Sequence, residues 1–268
     1  MKRILTILTL CLVLIFAMTA CGENGKDGKD GLTPTIEISD DGYWVINGEK
    51  TDVKAEGGNG EGAENPQGLD FYLNDDGTYA VSIGNAKYLS NIVIPEAYLG
   101  KAVTEIAYTG FHGAQNLKSI TIPDSVTNIG ERAFRDCSSL TSVVIGDSVT
   151  TIGDSAFSSC DSLTSVIIPN SVTTIGNSAF SHCSNLTSVV IGDSVTTIGN
   201  DAFSYCSGLT SVVIPDSVTT IGNSAFSFCS SLTDVYYTGS EEEWKAIIGS
   251  NNDYLTNATI HYNYVPEE

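Results

Sequence analysis

Few side chains in this sequence could do covalent or metal chemistry, and most of those recur at a fixed interval. Cys137, Cys160, Cys183, Cys206 and Cys229 stand 23 residues apart, with Ala114 in the same column one interval earlier. An exported chain invites disulfides. Side chains in register, however, run parallel about 4.8 Å apart, wider than the ~3.5–4.5 Å between Cβ atoms that a disulfide wants. Exchange of Cys with Ala in one column marks a small apolar filler, so buried free thiols are expected. No clustered His accompanies them, so neither a metal nor a cofactor is expected. A second polar column, Asp124, Asp147, Asn170, Asp193 and Asp216, offers oxygens in single file. Calcium wants about six to eight of them, so bonding to their own turn backbone is the expected role. Catalysis lacks its ingredients. Of three histidines only His182 lies in the regular repeats, and the Ser and Thr ladders have no base beside them. No Gly-x-Ser-x-Gly, His-Glu-x-x-His, phosphate loop or dinucleotide fingerprint appears. The sequence offers no catalytic residues, and an enzyme is not expected.

What remains is binding, and the repeats decide which residues could do it. Around Val149–Ile214 a 23-residue unit recurs, aligning Phe111, Phe134, Phe157, Phe180, Phe203 and Phe226 in one column. Leu117 to Leu232 and Ile106 to Ile221 keep the same interval. A period in the twenties with conserved apolar columns is the mark of a solenoid, each turn burying its apolar side against its neighbours. Leu140-x-x-Val143-x-Ile145 has the spacing of a leucine-rich-repeat strand with those three side chains inward. Thr121, Val144, Ile167, Val190, Val213 and Tyr236 then face outward, beside Ser119, Ser142, Ser165, Ser188, Ser211 and Asp234. An exposed aliphatic stripe flanked by hydroxyls reads as a binding strip or as ordinary strand propensity on a sheet face. Gly153–Phe157 and its copies read as brief helical turns, with Asp154, Asn177, Asn200 and Asn223 as N-caps. A variable column in those turns, Asp136, Ser159, His182, Tyr205 and Phe228, is not dictated by the core. Tyr205 and Phe228 could anchor a partner there, or could reflect drift.

The fold class read from these patterns is mainly β. It is a leucine-rich-repeat solenoid of 23-residue turns with short helical turns, a β-hairpin N-terminal cap and a helix-strand C-terminal cap. Residues 1–20 read as a lipoprotein signal peptide: Lys2 and Arg3, an apolar run Ile4–Ala17, then Met18-Thr-Ala-Cys21. That ending resembles a bacterial lipobox with Cys21 as the lipidated residue; secretion after cleavage near Ala20 is the other reading. Gly at every third position makes 21–34 a hydrated tether, with too few triplets for a collagen helix. A small β-hairpin module spans 35–56 and a Gly-rich linker 57–68. Phe71–Ile83, turning at Asp76-Gly77, makes 69–94 the N-terminal cap. The solenoid proper is 95–237, with a five-residue insertion near Tyr98-Leu99-Gly100, since Ile94 and Ile122 stand 28 apart. In the C-terminal cap, 238–268, Ser240 and Glu243 form a capping box, Trp244 and Ile248 close the open end, and Ala258–Tyr264 alternates like a strand.

The charge narrows the partners. The formal net charge is −20, and without residues 1–20, which hold Lys2 and Arg3 but no acid, 10 basic against 32 acidic residues leave −22. Such a surface repels phosphates, which argues against nucleic acid.

The repeat Ile-Pro-Asp-Ser-Val-Thr-x-Ile-Gly-x-x-Ala-Phe-x-x-Cys-x-x-Leu-x-x-Val over roughly 90–237 resembles the BspA-like class of bacterial leucine-rich repeats. The ending Tyr-Thr-Gly-Ser-Glu-Glu-Glu-Trp is similar to that family's terminal unit. The resemblance implies an extracytoplasmic protein, lipid-anchored to a bacterial membrane or cell surface through Cys21, that adheres to or binds an extracellular protein or glycan. The residues proposed for binding are Val144, Ile167, Val190, Val213, Tyr236, Tyr205 and Phe228. The competing readings are a spacer solenoid without a dedicated ligand, and a glycan-processing or glycan-binding accessory acting through Tyr43 and Trp44 of the small module.

Overall fold

The computed structural model describes residues 67–265 and, between 36 and 54, the backbone of three strands. The stretches read as a signal peptide (1–20) and a tether (21–34), with Cys21, and nearly all of that read as a linker (57–68) lie outside the described residues. The chain divides into two units, 1–59 and 60–268. In the first, β1 (Ile36–Ile38), β2 (Tyr43–Ile46) and β3 (Glu49–Lys54) form an antiparallel sheet in that order. The stretch read as a hairpin thus carries a third strand, where Thr51 and Val53 supply β-branched residues suited to a pleated sheet.

The second unit opens with the hairpin β4 (Asp70–Leu73) and β5 (Tyr79–Ser82). Its turn is held by the Asp76 carboxylate, which accepts from Thr78 N at 2.9 Å, and by Gly77 at φ 84. β6 (Asn91–Val93) begins one sheet, and β7 (Ala97–Tyr98) folds back on β8 (Lys101–Ile106) through Leu99 and Gly100, both at positive φ. This small hairpin is the expected insertion: Asn91 pairs with Ser119, 28 residues on, whereas Glu105 pairs with Asn128 at the regular 23. From there two kinds of strand alternate. They are β9 (Ser119–Thr121), β10 (Asn128–Ile129), β11 (Ser142–Val144), β12 (Thr151–Ile152), β13 (Ser165–Ile167) and β14 (Thr174–Ile175). β15 (Ser188–Val190), β16 (Thr197–Ile198), β17 (Ser211–Ile214), β18 (Thr220–Ile221) and β19 (Asp234–Tyr237) continue the pattern.

The two-residue strands stack in parallel from β18 through β10 to β8, which pairs in parallel with β5, so the N-terminal hairpin seals the end of that ladder. The longer strands form a second wall, which is split: β6, β9 and β11 make one sheet, and β13, β15, β17 and β19 another. Between the walls the core is a set of side-chain files. The six phenylalanines are fully buried and stack at 5.0–5.3 Å between ring centroids. One strand spacing, about 4.7–4.9 Å, sets that distance. Removing each from water stabilises the fold by about 1.5–3 kcal/mol, and offset stacking adds to it.

The segments read as brief helical turns are not helical. After Gly153, amides alternate between an i−3 bond (Ala156 N to Gly153 O, 3.2 Å) and a bond to the next turn (Phe157 N to Ala179 O, 2.7 Å). Each repeat places two residues at positive φ, such as Ser155 at 55° and Ser159 at 59°, which no helix accommodates. The result is a file of tight turns laddered to their neighbours. Asp154, Asn177 and Asn200 accordingly do not cap helices. Their side-chain oxygens accept the backbone N–H of Asn177, Asn200 and Asn223 one turn on, at 2.7–2.9 Å. The other polar column is corrected likewise: Asp124 accepts from Asp147 N and Asn170 from Asp193 N, across turns rather than within them.

The C-terminal cap imitates one more turn. Ser240 and Glu243 form a capping box on α1 (Glu241–Ile247), whose Trp244 is buried against Tyr237. Ile248 bridges to Ile221 and extends the short-strand ladder. The Asn251–Asp253 turn leads into a short helix, α2 (Asp253–Asn257). The predicted strand over 258–264 shrinks to β20 (Thr259–His261), paired parallel to β19, because the chain turns at Tyr262-Asn263, with Asn263 at φ 53.

Candidate interaction surfaces

Alternation along the longer strands sends Val166, Val189 and Val212 into the core, 1–3% exposed, and their neighbours outward. Val144, Ile167 and Val190 are 55%, 70% and 44% exposed. Val213 and Tyr236 are half-buried on the same face. Pairing registers Ile167, Val190, Val213, Tyr236 and His261 as one continuous column, flanked by Ser165, Ser188 and Ser211. A groove of about 720 Å³ runs along it, with Ile167, Val190 and Val213 on its floor and Asp147, Asn170 and Asp193 on one rim. Tyr264 closes one end.

At that end the Tyr236 ring lies against His261, at 4.6 Å and nearly parallel, and against Tyr264 at 4.7 Å, tilted by 49°. His261 Nε2 meets Asp234 Oδ1 at 2.8 Å. That bond, with a second from the Thr233 hydroxyl, holds the Asp234 carboxyl below its ordinary value. His261 and Tyr264 were not singled out from the sequence. The signal was present but out of step, because β20 follows β19 at a spacing of 25 instead of 23.

The variable column forms a second surface. His182 and Tyr205 stack at 4.5 Å, Tyr205 and Phe228 at 4.4 Å, and Tyr254 of α2 follows at 6.2 Å. All are exposed. His182, Tyr205 and Phe228 adopt φ of 58–63°, a left-handed conformation that costs bulky residues roughly 1–2 kcal/mol. The turn geometry imposes that conformation in every repeat, and Asp136 and Ser159 share it.

The cysteine column is interior. Cys137, Cys160, Cys183, Cys206 and Cys229 are free, buried thiols. Each donates to a phenylalanine carbonyl of the preceding turn, Cys183 Sγ to Phe157 O at 3.2 Å. Burial pushes Cys183 and Cys229 up to about 12, so neither offers a thiolate. Among the described residues no group of three or more His, Cys, Asp or Glu could hold a metal ion. No helix among them is long and apolar enough to cross a membrane.

Comparison with known proteins follows this geometry. Residues 104–233 match the BspA type leucine rich repeat region in 6 copies. The solved T. pallidum leucine-rich-repeat protein is 31% identical; the match covers 64% of this chain and 80% of that one, with a TM-score of 0.62. A leucine rich cell surface protein from Faecalibacterium prausnitzii is 33% identical over 65% of this chain and 54% of its own, with a TM-score of 0.47. The pneumococcal vaccine antigen PcpA is 20% identical over 78% of this chain and 51% of its own, with a TM-score of 0.51, a likeness of fold alone. No curated protein matches the chain. With the repeat unit, its core files and its relatives in agreement, the chain belongs to the BspA-type leucine-rich-repeat proteins.

Proposed function

We propose that this protein is a cell-surface lipoprotein, anchored through Cys21, that holds an extracellular protein or glycan against the face of its longer strands. The observation that carries the reading is the exposed file Val144, Ile167 and Val190, of which Ile167 and Val190 line a groove together with Val213. A sheet face with no ligand has no need to keep aliphatic side chains at 44–70% exposure in successive turns where serine or threonine serves as well. The chain's own relatives support a surface location, one of them being described as a cell surface protein. The reading includes no catalytic role.

The test is saturable binding of the purified full chain to a panel of matrix proteins, mucins and glycans, beside a variant with Val144, Ile167, Val190 and Val213 changed to Ser. Circular dichroism establishes that the variant keeps its fold. Binding that the variant loses supports the proposal. Binding that it retains moves the site elsewhere, and no binding at all leaves the solenoid as a spacer.

A further inference from the structure

The groove's surroundings narrow the occupant, given that the strand face is the binding surface. From Asp136 to Trp244 the chain contains no Lys or Arg, while Asp136, Asp147, Asp154, Asp161, Asp193 and Asp201 are followed by Asp216, Asp234 and Glu241–Glu243. The groove therefore lies in a negative field with no compensating cation in the turns that form it. Its rim sharpens this. Asp124 and Asn170 use their side-chain oxygens on the backbone N–H of the following turn. Asp216 N is taken by the Thr238 hydroxyl instead of by Asp193. The carboxylates of Asp147 and Asp193 thus meet no donor among the described residues, and both line the groove.

A sugar finds little to stack on. The rings at the groove's end are half-buried and lie against one another, Tyr236 contacting both His261 and Tyr264. An acidic glycan is repelled as well. A polypeptide suits the floor better, because aliphatic side chains can bury against Ile167, Val190 and Val213. We infer that the groove takes an extended, positively charged segment of a partner protein, with its aliphatic side chains on that floor and Lys or Arg side chains on Asp147 and Asp193. The two carboxylates belong to alternate turns, about 9.5 Å apart at the usual strand spacing. An extended chain rising about 3.1 Å per residue crosses that span in three residues and returns to the same face. The basic side chains are accordingly expected three residues apart.

The experiment measures fluorescence anisotropy of labelled peptides on the full chain in detergent. One peptide carries Lys at every third position among Val and Ala, the second Glu at the same positions, and an uncharged oligosaccharide is the third probe. The Lys peptide should bind at least roughly tenfold more tightly than the Glu peptide and weaken as salt rises, because the contacts are charged and partly exposed. Asp147→Asn with Asp193→Asn should weaken it severalfold; Asn170 already occupies this column, so the fold tolerates the change. Ile167→Ser with Val190→Ser should abolish saturation. Equal binding of Lys and Glu peptides, or Lys binding indifferent to both variants, overturns the inference. Should the oligosaccharide or another partner bind in a manner lost in the Ser variants while the Lys peptide does not, the strand face stands and the cationic occupant falls. If no ligand depends on those side chains, both fall.

Discussion

Stacking of the phenylalanine file makes a position-dependent prediction. Phe180 lies between Phe157 and Phe203, at 5.2 and 5.3 Å and within 5° of parallel. Phe111, at the N-terminal end, stacks among the described residues on Phe134 alone, at 5.1 Å. Replacing either by Leu keeps most of the apolar burial and deletes the ring. The reshaped packing should cost about 1 kcal/mol at both sites. Each lost ring pair adds about 1 kcal/mol beyond area burial. Phe180→Leu should therefore cost about 3 kcal/mol and Phe111→Leu about 2, a difference of one ring pair. In a solenoid each turn touches only its neighbours, so the central change removes a ring stack at two interfaces and the change at Phe111, whose other neighbour is the hairpin cap, at one. Urea unfolding followed by circular dichroism measures both, provided the slope m stays that of the parent so that midpoints convert to free energies. Equal losses at the two positions would refute the reasoning and reduce the file to simple burial.

Three further outcomes follow from the same structure. Cys183→Ala should cost only about 1 kcal/mol, because Ala114 fills the same column natively, and the five buried thiols should react with an aromatic disulfide reagent only as fast as the chain opens. With Cys183 and Cys229 pushed up to about 12 from an ordinary 9.0, their contribution is fully present below pH 9. Above it the unfolded state ionises first, so stability should fall by about 1.4 kcal/mol per pH unit per thiol until the folded thiols titrate; a flat alkaline unfolding profile would contradict this. Ser240→Ala removes the hydroxyl half of the capping box on α1, the bond accepted from Glu243 N, and leaves the backbone N–H of residue 240 to donate to the Glu243 carboxylate; it should cost about 1 kcal/mol, read as a lowered urea midpoint.

The sequence by itself determined the period, the files of Phe, Leu, Ile and Cys, and the alternation that turns Ile167 and Val190 outward. Those features follow from repetition and from the two-residue period of a strand, both of which are local. The capping box at Ser240 and the insertion at Tyr98-Leu99 were legible for the same reason. What Asp154 and Asn177 do was not legible, because a residue that caps a helix and one that bonds across to the next turn carry the same side chain. The distinction rests on the next turn lying one strand spacing away with a free N–H. The positive φ of Ser155 and Ser159 likewise arises from closing each turn within 23 residues. Nor could local pattern bring Tyr236, His261 and Tyr264 together, since the cap departs from the repeat period. Only stacking the final, irregular turn on β19 puts their rings in contact and closes the groove at that end.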